Sequence, residues 1–162
     1  MKTLWTPWRM EYIEGKTGRD SGCIFCAAPE QTHSAQDLIL HRNGALVVMM
    51  NRFPYANGHL LVAPAHHLAD LGDLSEEENG AIAAMLARCT TILRKTLQPD
   101  GFNIGLNLGE VAGAGIAGHL HWHIVPRWHG DHNYMTVLAE VRTIPEHIEK
   151  TFARLLPEFE NR

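Results

Sequence analysis

The chain has 162 residues, 45% of them hydrophobic, with 18 acidic against 14 basic side chains and a formal charge of −4. That length supports one domain with a real core and is short for two. The acidic balance argues against a broad electrostatic footprint on nucleic acid, and no run approaches the roughly 18 consecutive apolar residues of a membrane span. The opening segment, Met1 to Arg9, lacks the apolar stretch of a secretion signal, so a cytoplasmic location is expected.

In chain order, residues 1–36 show no sustained periodicity and read as an irregular arm that contains Cys23-Ile24-Phe25-Cys26. Three cysteines do not make a disulfide framework, and a Cys-x-x-Cys pair in a reducing compartment is more often metal-binding or redox-active. No strand–helix–strand context surrounds the pair, which argues against a thioredoxin-like redox role. Short apolar runs at 38–40, 45–50 and 59–63, separated by Asn43-Gly44 and by 51–58, predict strands joined by turns, the first pair as a hairpin. Ser75-Glu76-Glu77-Glu78 has the form of a capping box. Ile82, Met85, Leu86, Cys89, Ile92, Leu93 and Leu97 follow at helical spacing, which predicts a helix over 76–97 with Cys89 on its packed stripe.

Beyond the helix, residues 102–107 alternate as a half-buried strand should, and a glycine-rich segment, 109–118, leads into His119-Leu120-His121-Trp122-His123. Thr143 and Glu146 form a second capping-box pattern, and Ile148, Phe152, Leu155 and Phe159 lie on one helical stripe. Strands clustered around one helix, with a further helix at the end, predict an α+β domain on a largely antiparallel sheet.

The histidine run carries the most chemical information. In a strand, residues two apart share a face, so His119, His121 and His123 are predicted to point one way while Leu120, Trp122 and Ile124 face the core. Imidazole titrates near neutrality and serves as nucleophile, proton donor or metal ligand without a large shift. Two other readings compete: a solvated strand face, and a tri-histidine metal site. The latter is disfavoured because steps of roughly 6–7 Å along a strand hold the outer imidazoles too far apart for one ion. The glycine-rich segment is neither a P-loop nor a dinucleotide fingerprint; beside the histidines it offers backbone N–H groups that could form an anion-binding hollow. Asn107 follows the strand alternation onto the polar face as a candidate amide donor to phosphate.

The run fits the His-φ-His-φ-His-φ-φ signature and resembles the histidine triad superfamily of nucleotidyl hydrolases and transferases. Asn51-Arg52-Phe53-Pro54, Gly58-His59-Leu60-Leu61-Val62, Asn107-Leu108-Gly109 and Pro126-Arg127 extend the likeness to its fragile-histidine-triad branch over roughly residues 23 to 135. Leu4 to Met10, Gly101 to Gly109 and Pro126-Arg127-Trp128-x-Gly130-Asp131 are similar to bacterial diadenosine tetraphosphate phosphorylases. The resemblance implies a histidine triad fold, an antiparallel sheet of about five strands with a central and a C-terminal helix. Residues 1–162 are expected to form one such domain, with an arm (1–36), a catalytic core (37–135) and a tail with its helix (136–162). The resemblance also implies cleavage of a dinucleoside polyphosphate at the α-phosphorus through a covalent nucleotidyl-His121, resolved by phosphate or water, with proton donation helping the leaving group depart. His123 would contact phosphate oxygens and His119 would orient the site.

Further nucleotide contacts are implied at Asn51, on ribose hydroxyls, at Asn107, and at Gly113, Ala114, Gly115 and Ile116. A structural zinc is implied on Cys23, Cys26, His67 and His119, with His66 the neighbouring alternative to His67. The expected partners are a nucleotide substrate and a second copy of the chain in a homodimer, with neither nucleic acid nor membrane. A nucleoside phosphoramidase, and a nucleotide-binding or zinc-stabilised interaction protein with little catalysis, are the rival functions. His129 and His132 flank Gly130-Asp131 and read as a polar turn rather than a second metal site.

Overall fold

The computed structural model describes residues 22–26, 33–131 and 144–160. Five strands, β1 (Ile39–Arg42), β2 (Leu46–Met50), β3 (Leu60–Pro64), β4 (Gly101–Leu106) and β5 (Trp122–Arg127), form one sheet in the order β1-β2-β3-β5-β4, with every pairing antiparallel. Helix α1 (Glu76–Leu97) lies between β3 and β4 in sequence, and α2 (Ile148–Glu160) follows β5. This is the α+β architecture that the strand and helix periodicities predict.

Local chemistry explains the boundaries. Ser75 and Glu78 form the expected reciprocal capping box at the start of α1, and the helix ends at Gln98, whose backbone turns left-handed. The β1–β2 hairpin closes without a left-handed Gly44. Instead, the Asn43 side-chain oxygen accepts the N–H groups of Ala45 and Leu46, at 2.9 and 2.8 Å, an Asx turn that satisfies both donors.

Alternation sorts the sheet into two faces. Leu40, Val48, Met50, Leu60, Val62, Leu120 and Ile124 pack with Ile82, Met85, Cys89, Ile92 and Leu93 of α1 and with Phe152, Leu155 and Phe159 of α2. Burial pushes the Cys89 thiol up to about 12, so it remains a neutral packing group. On the opposite face, Ile39, Val47, Met49, Leu61 and Ala63 form a second apolar layer with Phe25. Edge strand β4 is less buried than its alternation predicts: Phe102 and Leu106 pack on the helix-side core, but Ile104 between them is 47% exposed.

Two expectations shift. The histidine segment enters the ladder only at Trp122, so His119 and His121 precede β5. Leu120 nevertheless donates its N–H to the Leu68 carbonyl at 2.7 Å, keeping the side chains alternating. The C-terminal helix begins at Ile148 rather than beside the second capping-box pattern. Thr143 lies outside the described residues, and the Glu146 carboxylate accepts the Thr151 hydroxyl at 2.7 Å and pairs with Arg154 at 3.1 Å. Ile148, Phe152, Leu155 and Phe159 still make the inward stripe.

Candidate functional site

Antiparallel pairing of β3 with β5, register Leu60↔Ile124, places the residue before β3 beside the third histidine of the run. That residue is His59, fully buried, and its Nε2 lies 2.9 Å from Nδ1 of His123. Gly58, just before it, lies against the end of α1 in a backbone conformation that favours glycine. Its φ is +71°, and a Cβ there would stand 2.4 Å from a Leu97 methyl.

The hydrogen-bond directions in this chain of rings are fixed at one end by the backbone. The Tyr55 N–H donates to His59 Nδ1 at 3.1 Å, so that nitrogen must be an acceptor and Nε2 must carry the proton. The Asn51 amide nitrogen, 3.3 Å away, donates to the same atom, its orientation set because its oxygen accepts the Phe53 N–H at 3.0 Å. His59 therefore donates to His123 Nδ1, and His123 holds its own proton on Nε2. Burial, reinforced by the neighbouring His123 and His121, pushes His59 down to about 3, so this ring takes part in the relay in its neutral form.

His121 is oriented differently. Its Nδ1 lies 2.7 Å from the carbonyl oxygen of His119, to which it donates, leaving the lone pair on Nε2. Burial holds its pKa below the ordinary imidazole range, which keeps that lone pair unprotonated at neutral pH. The rings of His121 and His123 meet edge-on with centroids 5.0 Å apart. A ring with an open Nε2 lone pair thus lies next to a ring whose Nε2 carries the proton.

The side chain of His119 points elsewhere. Its Nε2 donates to the Pro64 carbonyl at 3.0 Å, which leaves Nδ1 as an acceptor 3.0 Å from Cys23 Sγ and 3.4 Å from Cys26 Sγ. His67 Nδ1 lies 3.3 Å from Cys26 Sγ, and the four ligand atoms all fall within 4.8 Å of one another. Tetrahedral zinc, with bonds of about 2.3 Å to sulfur and 2.0–2.1 Å to nitrogen, sets ligand atoms about 3.3–3.8 Å apart. The donor set and the His119 tautomer both fit such an ion. His66, the sequence alternative, instead faces Glu78 at 3.4 Å. Burial and the adjacent Cys23 raise the Cys26 thiol above its ordinary value, the direction a bound cation would reverse.

The remaining predicted residues are placed less uniformly. Asn107 lines a cavity of about 770 Å³ together with His123, Tyr55, Asn103, Arg127 and Trp128. Its amide reaches the Gly113 carbonyl at 3.4 Å, which ties the glycine-rich segment to the end of β4. That segment is ordered by a short helical turn, Glu110–Ala112, between Gly109 and Gly113, both at positive φ. The N–H groups of Gly113 and Ala114 bond the Glu110 and Gly109 carbonyls at 2.9 and 3.3 Å, so these two are committed to the loop itself. Ile116 packs against the Phe25 layer. Asn51 likewise has both ends of its amide engaged by Phe53 and His59. His129 pairs with Asp100 at 3.0 Å, as a polar turn would, and His132 lies outside the described residues. His59 is the functional candidate that residue patterns missed; a lone histidine heading an otherwise apolar strand was the available signal.

Comparison with known proteins agrees with this geometry. Residues 32–130 match the HIT domain family. The chain is 34% identical to the AP-4-A phosphorylase of Mycobacterium tuberculosis over 98% of its own length and 85% of that protein's. Among solved structures, a zinc-bound histidine triad family protein from Mycobacterium smegmatis superposes with a TM-score of 0.65 at 28% identity, covering 85% of this chain and 93% of that one. A Plasmodium falciparum diadenosine triphosphate hydrolase, at 20% identity and a TM-score of 0.58 over 76% of this chain and 74% of its own, shares the fold. The alternating histidines, the five-strand sheet and these matches lead to one conclusion: the chain belongs to the histidine triad, or HIT domain, family.

Proposed function

We propose that the chain is a nucleotidyl hydrolase or transferase that cleaves dinucleoside polyphosphates of the diadenosine tetraphosphate type at the α-phosphorus. The supporting observation is the pair of opposed tautomers, a lone pair on His121 Nε2 beside a proton on His123 Nε2. In this reading His121 Nε2 forms a bond to phosphorus while the anhydride P–O bond breaks, and the electron pair leaves with the departing nucleotide's oxygen. The His119 carbonyl, accepting from Nδ1–H, stabilises the positive charge that grows on the imidazole. The His123 N–H stabilises negative charge on phosphate oxygens. Phosphate or water then displaces the histidine; likeness to a phosphorylase favours phosphate.

Cys23, Cys26, His67 and His119 would hold a zinc ion that ties the arm to the sheet and fixes the carbonyl-bearing residue before the nucleophile. The exposed edge of β4 is where a second copy would extend the sheet into a homodimer.

Product analysis tests the reading. Diadenosine tetraphosphate incubated with phosphate should give ATP plus ADP, and without phosphate either nothing or ATP plus AMP. His121→Ala should lower turnover by about 10⁴-fold or more while nucleotide affinity stays within about tenfold, since a nucleophile acts chiefly in the transition state. Wild-type turnover in that variant would falsify the mechanism. Turnover of an adenosine phosphoramidate alone would redirect it to phosphorus–nitrogen cleavage.

A further inference from the structure

We propose that Phe25 is a positioning residue for the His121 imidazole, the side chain through which the Cys23–Cys26 turn holds the reacting ring in place. The inference rests on the reading of His121 as nucleophile.

Phe25 is fully buried, although it sits in a turn of four residues closed by the Cys26 N–H on the Cys23 carbonyl at 3.0 Å. Its ring centroid stands 4.9 Å from that of His119 and 5.1 Å from that of His121, so one phenyl group bears on both imidazoles. Ile39, Val47, Met49, Leu61 and Ala63 complete the layer in which it is packed. The backbone of the turn is fastened as well, because the Phe25 carbonyl accepts a hydrogen bond from the Arg42 guanidinium on β1. The thiols on either side of Phe25 reach His119 and His67.

A single hydrogen bond from His121 Nδ1 to the His119 carbonyl fixes the tautomer but leaves the ring able to tilt about it. A close-packed neighbour removes that freedom. In-line displacement at phosphorus needs the Nε2 lone pair aligned with the bond that breaks, and a misplacement of about 1 Å can cost about 10²-fold in rate. Phe25 has no exposed surface to offer a nucleoside. Its contribution is therefore directed at the histidine rather than at the substrate, and the metal-binding turn and the nucleophile become mechanically one unit.

The test compares wild type with Phe25→Ala, Phe25→Leu and Phe25→Met, each checked for zinc content. The readouts are steady-state kinetics on diadenosine tetraphosphate, the single-turnover rate of nucleotidyl-protein formation, and nitrogen NMR of the His121 ring. Phe25→Ala should reduce kcat and the adduct-forming rate together by about 30- to 100-fold with KM within about threefold. The NMR should show the Nδ1–H tautomer of wild type retained, with the His121 ring resonances broadened as the ring gains freedom to tilt. Phe25→Met, which refills the volume, should recover most of the rate. Should Phe25→Ala not fold, Phe25→Leu carries the same comparison with an expected loss of about tenfold. A raised KM with kcat preserved would make Phe25 a wall for the substrate and overturn the inference, as would an unchanged adduct-forming rate with unchanged ring line widths. If wild type turns over without any nucleotidyl adduct, the reading of His121 fails and the inference falls with it.

Discussion

On the helix-bearing face of the sheet, Val48, Met50, Leu60, Val62 and Ile124 meet α1 and α2 through hydrocarbon. The alternate residues of the same strands form a second apolar layer with Phe25, bordered by imidazoles whose nitrogens bond one another or the backbone. The first face is held by removal of area from water, which is non-directional and tolerant of small adjustments. The second adds to a smaller apolar layer a set of directional contacts that determine where protons sit. On the proposed reading, most of the apolar packing and the reacting groups lie on opposite sides of strands only a few residues long.

The sharpest way to break that division is to attack each face separately. Leu93→Ala, on the fully buried helix stripe, should cost about 2–5 kcal/mol of stability in urea unfolding while kcat per folded molecule stays within about twofold. A comparable loss of kcat would show the faces to be coupled. His59→Leu should do the reverse, lowering kcat by about 10²-fold because His123 loses the donor that fixes its tautomer, with its cooperative thermal transition retained. Cys26→Ala, at the margin between the two regimes, should abolish zinc content by elemental analysis and lower stability by about 2 kcal/mol, less than the core substitution.

Acid should discriminate the faces more gently. His59 has a folded pKa near 3 against an ordinary value of 6.5, so above pH 6.5 the ring is neutral in both states and its full contribution is present. As the pH falls from 6.5 toward 3, the unfolded chain takes up a proton that the folded chain refuses, and stability declines by about 1.4 kcal/mol per pH unit for this group. Urea titrations at successive pH values should show that slope in wild type and a shallower one in His59→Leu. Equal slopes would mean that the buried ring is not the titrating group.

Much of this organisation was legible in the sequence because it is local. The capping box at Ser75 and the periodicity of 76–97 mark α1 at the residues observed, and strict alternation through His119–Ile124 sorts the faces even though the ladder starts three residues late. The resemblance to a known family picked out Cys23, Cys26, His67 and His119, which the fold brings together. His59 was not legible, since its role depends on β3 lying beside β5, a pairing across 64 residues that no local pattern encodes. The commitment of the Asn51, Gly113 and Ala114 groups to internal bonds was hidden for a similar reason: residue type advertises a donor, but only packing shows whether that donor is already engaged.

The Tyr55 peptide at the head of the imidazole relay is a group that never titrates. The sense of the relay is therefore set by the folded backbone and carried outward through His59, a ring that burial keeps uncharged near neutrality. A ligand with several negative charges arriving at its outer end meets an N–H whose direction is already set. Polarity of that kind can select an orientation without gripping so hard that departure becomes the slow event in the cycle.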